Sequence, residues 1–344
     1  MPSAFEFDTA SRAEVIDALM STLTAHYVFP DKAAEYTEYL LTRREAGAYD
    51  TLAKPQEFCH ALTVDLQQAS RDRHLVILWR PEERTLGTSS GAEDVDVEEQ
   101  AKQRERQERR ERQQAAEGNH GFRKVEILSG NIGLITLSGF GDPQYGGDTA
   151  VAAMRFVSNT NGLIFDVRGN MGGDGRMVIL LCSYLCPGNQ WDLSGYYSRK
   201  VGRLEPSWTM PYVPGPYYEK KPVYVLTGPL TFSAGELLAY DLQALKRATV
   251  VGEVTGGAAH GAEFHPLPYG CDALISFSAP TNPLTGGNWE AVGVQPDIAV
   301  PEAQAMGLAH RHALKAVLAM RQSISLSDAL QTEMEVTVER LERA

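Results

Sequence analysis

Cysteine is scarce in this chain of 344 residues: Cys59, Cys182, Cys186 and Cys271 are the only four, and their spacing builds no disulfide framework. Long hydrophobic runs are missing too. The longest strongly apolar stretch, Met177–Cys186, is far too short to cross a bilayer, which excludes a transmembrane helix on length. The opening residues MPSAFEFDTA carry neither a basic start nor an apolar run, so no secretory leader is expected and the setting reads as cytoplasmic, with reduced thiols. Positive charge is in deficit, with 32 Lys+Arg against 44 Asp+Glu and a net charge of −12, which excludes a wholesale nucleic-acid or anionic-membrane binder. What is present suits a folded protein. Hydrophobic residues at 43% and charged residues at 22% supply a sizeable core, in one large domain or two ordinary ones.

The first 70 residues predict three helices. Ser11 and Glu14 read as a capping box, and Ile16, Leu19, Met20, Leu23 and Tyr27 recur at helical spacing until Pro30. A second helix runs from about Asp31 to Gly47, and a third opens at Pro55 with Phe58, Leu62, Leu66 and Ala69 on one face. Arg71-Asp72-Arg73-His74 then leads into the apolar run Leu75–Trp79, which places His74 at a helix-to-strand junction. Residues 93–117 hold nine acids and six bases with almost no large apolar side chain, and read as a solvated helix or linker. From residue 122 strands and helices alternate, as in an α/β domain. The stretch Gln190–Lys221, rich in Trp, Tyr, Pro and Gly, breaks that rhythm and reads as an aromatic flap suited to contact a ligand.

Two junctions could carry chemistry. Thr231-Phe232-Ser233-Ala234-Gly235-Glu236 follows an apolar strand and opens a helix, where free N–H groups and positive potential favour an oxyanion beside a nucleophilic serine. On local sequence alone, Ser233 as a helix cap, with Glu236 completing a capping box, is the commoner reading. Asp166-Val167-Arg168-Gly169-Asn170-Met171-Gly172-Gly173 is a glycine-rich strand-to-helix turn that exposes backbone N–H groups or is simply a structural turn, and its spacing does not match a dinucleotide fingerprint. For a base, His74 is well placed, while His260 and His265 flank the loop Gly256–Gly261. His26, His60, His120, His310 and His312 read as structural or solvated. His260, His265 and Cys271 fit no standard metal spacing, so neither a metal nor a cofactor is expected.

Taken in order, these segments resemble the tail-specific, or carboxyl-terminal processing, serine peptidase family, in its branch with the interphotoreceptor retinoid-binding protein and the tricorn core. The matching text is Arg71–Leu75, Gly133-Leu134-Ile135, Asp166–Gly173, Lys221–Glu236, Lys246–Gly257 and Glu290–Asp297. The resemblance implies a ClpP/crotonase-like β-β-α core with the nucleophile at Ser233. The lysine base of the processing peptidases would fall at Ala258, so a Ser-Lys dyad is not expected. The tricorn-like pattern instead implies His74 as general base and acid, Glu290 as the orienting group, and the N–H groups of Gly172 and Ala234 as the oxyanion hole. Arg73 stands where the tricorn pattern has a serine, so Asp72 is the candidate for that fourth polar partner, and Glu253 and His260 are further candidates for supporting roles.

The expected organisation is an N-terminal helical subdomain (1–75), a strand with a charged insertion (76–121), an α/β catalytic domain (122–322, flap 190–221) and a C-terminal helix (323–344). Residues 80–121 are too few and too charged for the family's PDZ module. The expected activity is a serine hydrolase, most simply a peptidase on small or modified peptides through a Ser233 acyl-enzyme. A lipophilic-ligand carrier on the same fold, or an acyl transferase or cyclase using the same serine, is the alternative. The expected partners are a peptide or small acyl substrate, and a second subunit if the amphipathic tail from Ser325 packs between copies.

Overall fold

The computed structural model of the protein describes residues 6–80, 105–106, 109–110, 112–322 and 325–343. These residues cluster into two compact units: 1–106 with 196–205 and 260–280, and 107–195 with 206–259 and 281–344. Residues 196–205 and 260–280, distant in sequence from the N-terminal helices, therefore belong with them.

In the first unit, helices α1 (Thr9–His26), α2 (Pro30–Glu45) and α3 (Pro55–Ser70) precede strand β1 (Val76–Trp79). The α1 cap is Asp8, whose carboxylate accepts from the Ser11 N–H at 2.8 Å, so the expected Ser11/Glu14 capping box is not the start of the helix. Asp8 lies one residue before the first helical position, and its carboxylate reaches the orphan N–H groups where Ser11 is already inside the helix. Pro30 and Pro55 open α2 and α3, where a missing N–H costs nothing. Val15, Ile16, Leu19, Leu23, Leu40, Phe58, Leu62 and Leu66 are buried in one core with Leu75, Ile77, Ala273 and Ile275. β1 pairs antiparallel with β10 (Cys271–Thr281), which also pairs with β9 (Gly261–Pro266). Of the charged stretch 93–117, the described residues 112–117 are helical, and the rest of that reading lies largely outside the described residues.

The second unit is built on a six-stranded sheet. Its order is β11-β8-β7-β4-β3-β2, from β2 (Phe122–Leu128), β3 (Ile132–Leu137), β4 (Gly162–Asp166), β7 (Val223–Thr227), β8 (Thr249–Gly252) and β11 (Ile298–Ala299). All neighbours are parallel except the antiparallel pair β2 and β3. Alternate residues feed two cores, as strand geometry requires. Leu163, Phe165, Val223 and Val225 pack with α4 (Pro143–Val157), α5 (Gly175–Leu185) and α6 (Ala234–Ala244). Ile164, Tyr224 and Leu226 pack with α7 (Glu302–Ala319) and with Met334 of α8 (Asp328–Arg343). The tail helix thus packs within the chain. Each central strand is buried throughout, which explains its continuous apolar run.

The expected long loop 190–221 is in part paired strand, β5 (Asp192–Ser198) followed by β6 (Arg203–Trp208), with the Gly202 N–H turning onto the Ser198 carbonyl at 2.8 Å. Its Trp and Tyr residues are strand formers, while Gly195 and Pro206 hide the alternation. Beyond the hairpin, Val213 and Tyr218 are core residues.

Candidate active site

β4 and β7 are adjacent and parallel, with Asp166 opposite Leu226, so the turns that follow them run side by side at the carboxyl ends of the strands. Open parallel sheets place their ligand sites there. The β7 turn ends on Ser233, a half-buried residue at φ +50°, ψ −120°. A positive φ in a non-glycine residue is sustained only when its surroundings over-determine it, and it clusters at functional sites. Here the surroundings are specific. The Thr231 hydroxyl donates to the Val167 carbonyl at 2.8 Å, and the Phe232 N–H donates to the Asn170 carbonyl at 2.9 Å. The Ser233 N–H itself donates to the Glu236 carboxylate at 2.9 Å, which is the Glu236 arm of the expected capping box.

Gly172 backs this turn at φ +98°, and a Cβ on it would lie 2.7 Å from the Ser233 Cβ and 3.0 Å from the Ala234 nitrogen. Ser233, Ala234 and Gly172 are therefore brought together. Ala234 is the first residue of α6, and its N–H has no intrahelical acceptor. The Gly172 N–H is held differently: it donates to Asn170 Oδ1 at 2.8 Å. Asn170 is fully buried, and its Nδ2 has no hydrogen-bond partner among the described residues. Asp166 and Arg168, part of the same motif, form a two-pronged ion pair, and Arg168 also donates to the Glu302 carbonyl at 2.9 Å. They anchor the strand end to α7.

Glu236 is fully buried and does more than cap a helix. It accepts from the Ser233, Gly257 and Ala258 N–H groups and from the Thr255 hydroxyl, tying the serine turn to the loop after β8. Burial raises its carboxyl above the usual range, against the pull of these donors. Glu290, half-buried, accepts from the Ala259 N–H at 2.6 Å, and the neighbouring Trp289 indole donates to the Ala258 carbonyl at 3.1 Å. The 255–259 loop is thus fixed from both sides, by Glu236 and by the segment of Glu290. Glu253 is placed elsewhere, its carboxylate 3.4 Å from the Glu302 N–H at the start of α7.

In the first unit, Arg71 adopts the left-handed conformation that ends α3, at φ 60°. The chain then folds over Asp72, with the His74 N–H donating to Asp72 Oδ1 at 2.9 Å and the Leu75 N–H to the Asp72 carbonyl at 3.2 Å. His74 is buried, its Nδ1 4.0 Å from Asp72 Oδ1, and burial pulls its imidazole down to about 4 despite the Asp72 charge. Asp72 Oδ2 pairs with His260 Nδ1 at 2.8 Å and accepts from the Tyr27 hydroxyl at 3.1 Å. Burial opposes the Asp72 charge, yet the hydrogen bond and charge of His260 carry its carboxyl below the usual range. Asp72, His74 and His260 form one buried cluster. Sequence spacing could not give the 188-residue link between Asp72 and His260, nor the Tyr27 contact.

Asn170 and the four-donor role of Glu236 were not assigned as site features from sequence; Asn170 stood in a motif read for its glycines, and Glu236 only as a cap. Among the other histidines, His310 Nε2 bonds the Ser129 carbonyl at 2.8 Å, a structural role. Cys271 lies against Cys59, with sulfurs 3.4 Å apart in the core.

Residues 131–300 match the profile of peptidase family S41, and residues 9–114 match the N-terminal domain of family S41 peptidases in eukaryotic IRBP. A candidate peptidase from Parabacteroides merdae shares the fold at a TM-score of 0.59 and 19% identity, over 92% of this chain and 99% of that one. A lipoprotein from Streptococcus agalactiae shares it at a TM-score of 0.55 and 15% identity, over 89% and 97% of the respective chains. The tricorn protease does so at 0.54 and 14% identity, over 91% of this chain and 37% of its own. Among the described residues no helix is long and apolar enough to cross a membrane.

Proposed function

Because the chain belongs to peptidase family S41, we propose that it is a serine peptidase that forms an acyl-enzyme at Ser233, with His74 as general base and Glu290 as the group that orders the site. The observation that carries this reading is the strained Ser233 turn, followed directly by the Ala234 N–H that opens α6 and backed by a glycine with no room for a side chain. In the proposed first step Ser233 Oγ attacks the scissile carbonyl while the His74 imidazole takes its proton. The carbonyl oxygen becomes an oxyanion facing the Ala234 N–H at the positive end of α6. For Gly172 to serve as the second donor, its N–H exchanges Asn170 Oδ1 for that oxyanion. His74 then gives its proton to the leaving amine, and water repeats the sequence on the ester.

Burial holds the His74 imidazole at about 4, so it is neutral at pH 7, the form a general base starts from, although the same burial makes it a weaker base than a free imidazole. Asp72 and His260 support it, Asp72 by holding the turn that carries His74. Exposed Trp191, Trp208 and Tyr212 near the hairpin suit contact with a small or modified peptide. The proposed setting is cytoplasmic, on the cysteine usage alone.

The test is turnover of a pool of short peptides with free and blocked termini, followed by mass spectrometry, for wild type and Ser233→Ala. Cleavage by the wild type, lost in the variant, supports the reading. Cleavage that survives Ser233→Ala overturns it, and peptides bound but never cut would favour ligand carriage on this fold.

A further inference from the structure

Outside the catalytic assignment, the first unit carries a second group of polar side chains. His26 is the last residue of α1, and Glu263 and His265 stand two apart on β9, hence on the same face of that strand. The three side chains each offer one ligand atom, and these atoms lie within 4.8 Å of one another. The rings of His26 and His265 stack, with centroids 4.2 Å apart and 28° between planes. His265 Nε2 is 3.4 Å from Glu263 Oε1, and it is buried without a hydrogen-bond partner among the described residues.

The scaffold beneath is firm. The Val28 N–H, two residues beyond His26, donates to the Ser276 carbonyl on β10 at 2.8 Å. β9 is in register with the same strand, His265 opposite Ala273 and Glu263 opposite Ile275. Arg199 closes the end of α1 by donating to the Thr24 and Tyr27 carbonyls at 2.8 and 3.1 Å. The backbone thus holds three donors from two elements around one point, while His26 and Glu263 remain exposed enough to adjust.

We propose that His26, Glu263 and His265 bind one divalent transition-metal ion of the zinc class, which staples the end of α1 to β9. Two imidazole nitrogens and one carboxylate oxygen select zinc, cobalt or nickel over magnesium or calcium, which prefer all-oxygen sites. Zinc bonds to such donors are about 2.0–2.2 Å long, so donors within 4.8 Å of one another reach a common centre once the exposed His26 ring turns out of its stack on His265 and aims a nitrogen at it. Coordination gives the buried His265 nitrogen the partner it lacks. A fourth position is left for water. The ion would brace β9 directly after His260, so its effect on the catalytic cluster is through backbone order alone.

The experiment titrates metal-free full-length protein with Co²⁺, read by visible absorption, and with Zn²⁺, read by calorimetry and thermal unfolding. The expected result is one ion per chain, a tetrahedral-type cobalt spectrum and a raised Tm. His265→Ala and His26→Gln should each lower affinity by more than the about 10–100-fold typical of losing an outer-shell partner. His60→Ala, an exposed histidine on α3, should bind as wild type does. If His265→Ala does not fold, His26→Gln and Glu263→Gln decide the matter, since both alter exposed side chains. Wild-type stoichiometry, affinity and cobalt spectrum in His26→Gln and Glu263→Gln would overturn the proposal, as would no binding by the wild type.

Discussion

Substituting Gly172 by alanine tests the close approach of the two turns. The new Cβ would sit 2.7 Å from the Ser233 Cβ, 3.0 Å from the Ala234 nitrogen and 3.1 Å from the Phe232 carbonyl oxygen. None of these is the free end of a flexible side chain. Phe232 and Ser233 are held by Asn170 and Glu236, so the β7 turn cannot step back without breaking those bonds. The backbone adds its own cost, because alanine at φ +98° is strained by about 1–3 kcal/mol. Overpacking adds about 1–3 kcal/mol, so the sum is roughly 2–6 kcal/mol against a typical folding stability of about 5–15 kcal/mol. Urea unfolding should show the midpoint fall with an unchanged slope, and labelling of Ser233 by a fluorophosphonate should slow at least about tenfold as the serine and the Ala234 N–H are displaced together, a loss of about 1.4 kcal/mol in barrier terms. Gly169→Ala is the control, since nothing lies within 4 Å of a Cβ there. Equal midpoints and equal labelling rates in the two variants would refute the reasoning.

Other perturbations address the remaining links. Glu236→Ala strands three N–H groups and a hydroxyl, and should destabilise by at least about 3 kcal/mol while amide exchange at Gly257 and Ala258 accelerates. Unchanged protection at those amides would contradict the role given to Glu236. His74 is buried neutral, with its folded value at about 4 against 6.5 for the free side chain. Its contribution is therefore present above pH 6.5 and lost as pH falls towards 4, by about 3 kcal/mol. Asp241, pushed up to about 6 by burial despite donors from Ser194 and Asn282, acts in the opposite sense, favouring the fold as pH falls below 6. His74→Gln should thus remove most of the acid loss, read as the difference between variant and wild-type urea stability from pH 7 to pH 4, and a pH-independent difference would count against it. His74→Ala should abolish turnover while leaving the far-ultraviolet circular dichroism intact.

The six-stranded sheet was legible because its central strands are fully buried and read as unbroken apolar runs between turn signals. Gly162–Asp166 and Val223–Thr227 are strands within the stretch from residue 122 where strands and helices were expected to alternate. Helix ends were less so: Asp8 caps α1 because its carboxylate reaches the Ser11 N–H, and both residues are plausible caps from composition alone. The β5 and β6 strands were hidden by Gly and Pro within an aromatic stretch. In the site, the motifs marked the Ser233 turn, but not that Asn170 holds the Gly172 N–H or that Glu236 gathers four donors. Those facts depend on side-chain direction. The Asp72–His260 pair and the His26, Glu263 and His265 group are products of tertiary folding, joining residues far apart in the chain that no local spacing links.

Ser233 is the proposed activated nucleophile, and intact-mass analysis after fluorophosphonate treatment reads its reactivity without a substrate. Wild type, Ser233→Ala and His74→Ala would be compared under identical conditions. One adduct is expected on the wild type and none on either variant. No adduct on a folded wild type, or an adduct that survives Ser233→Ala, would contradict it.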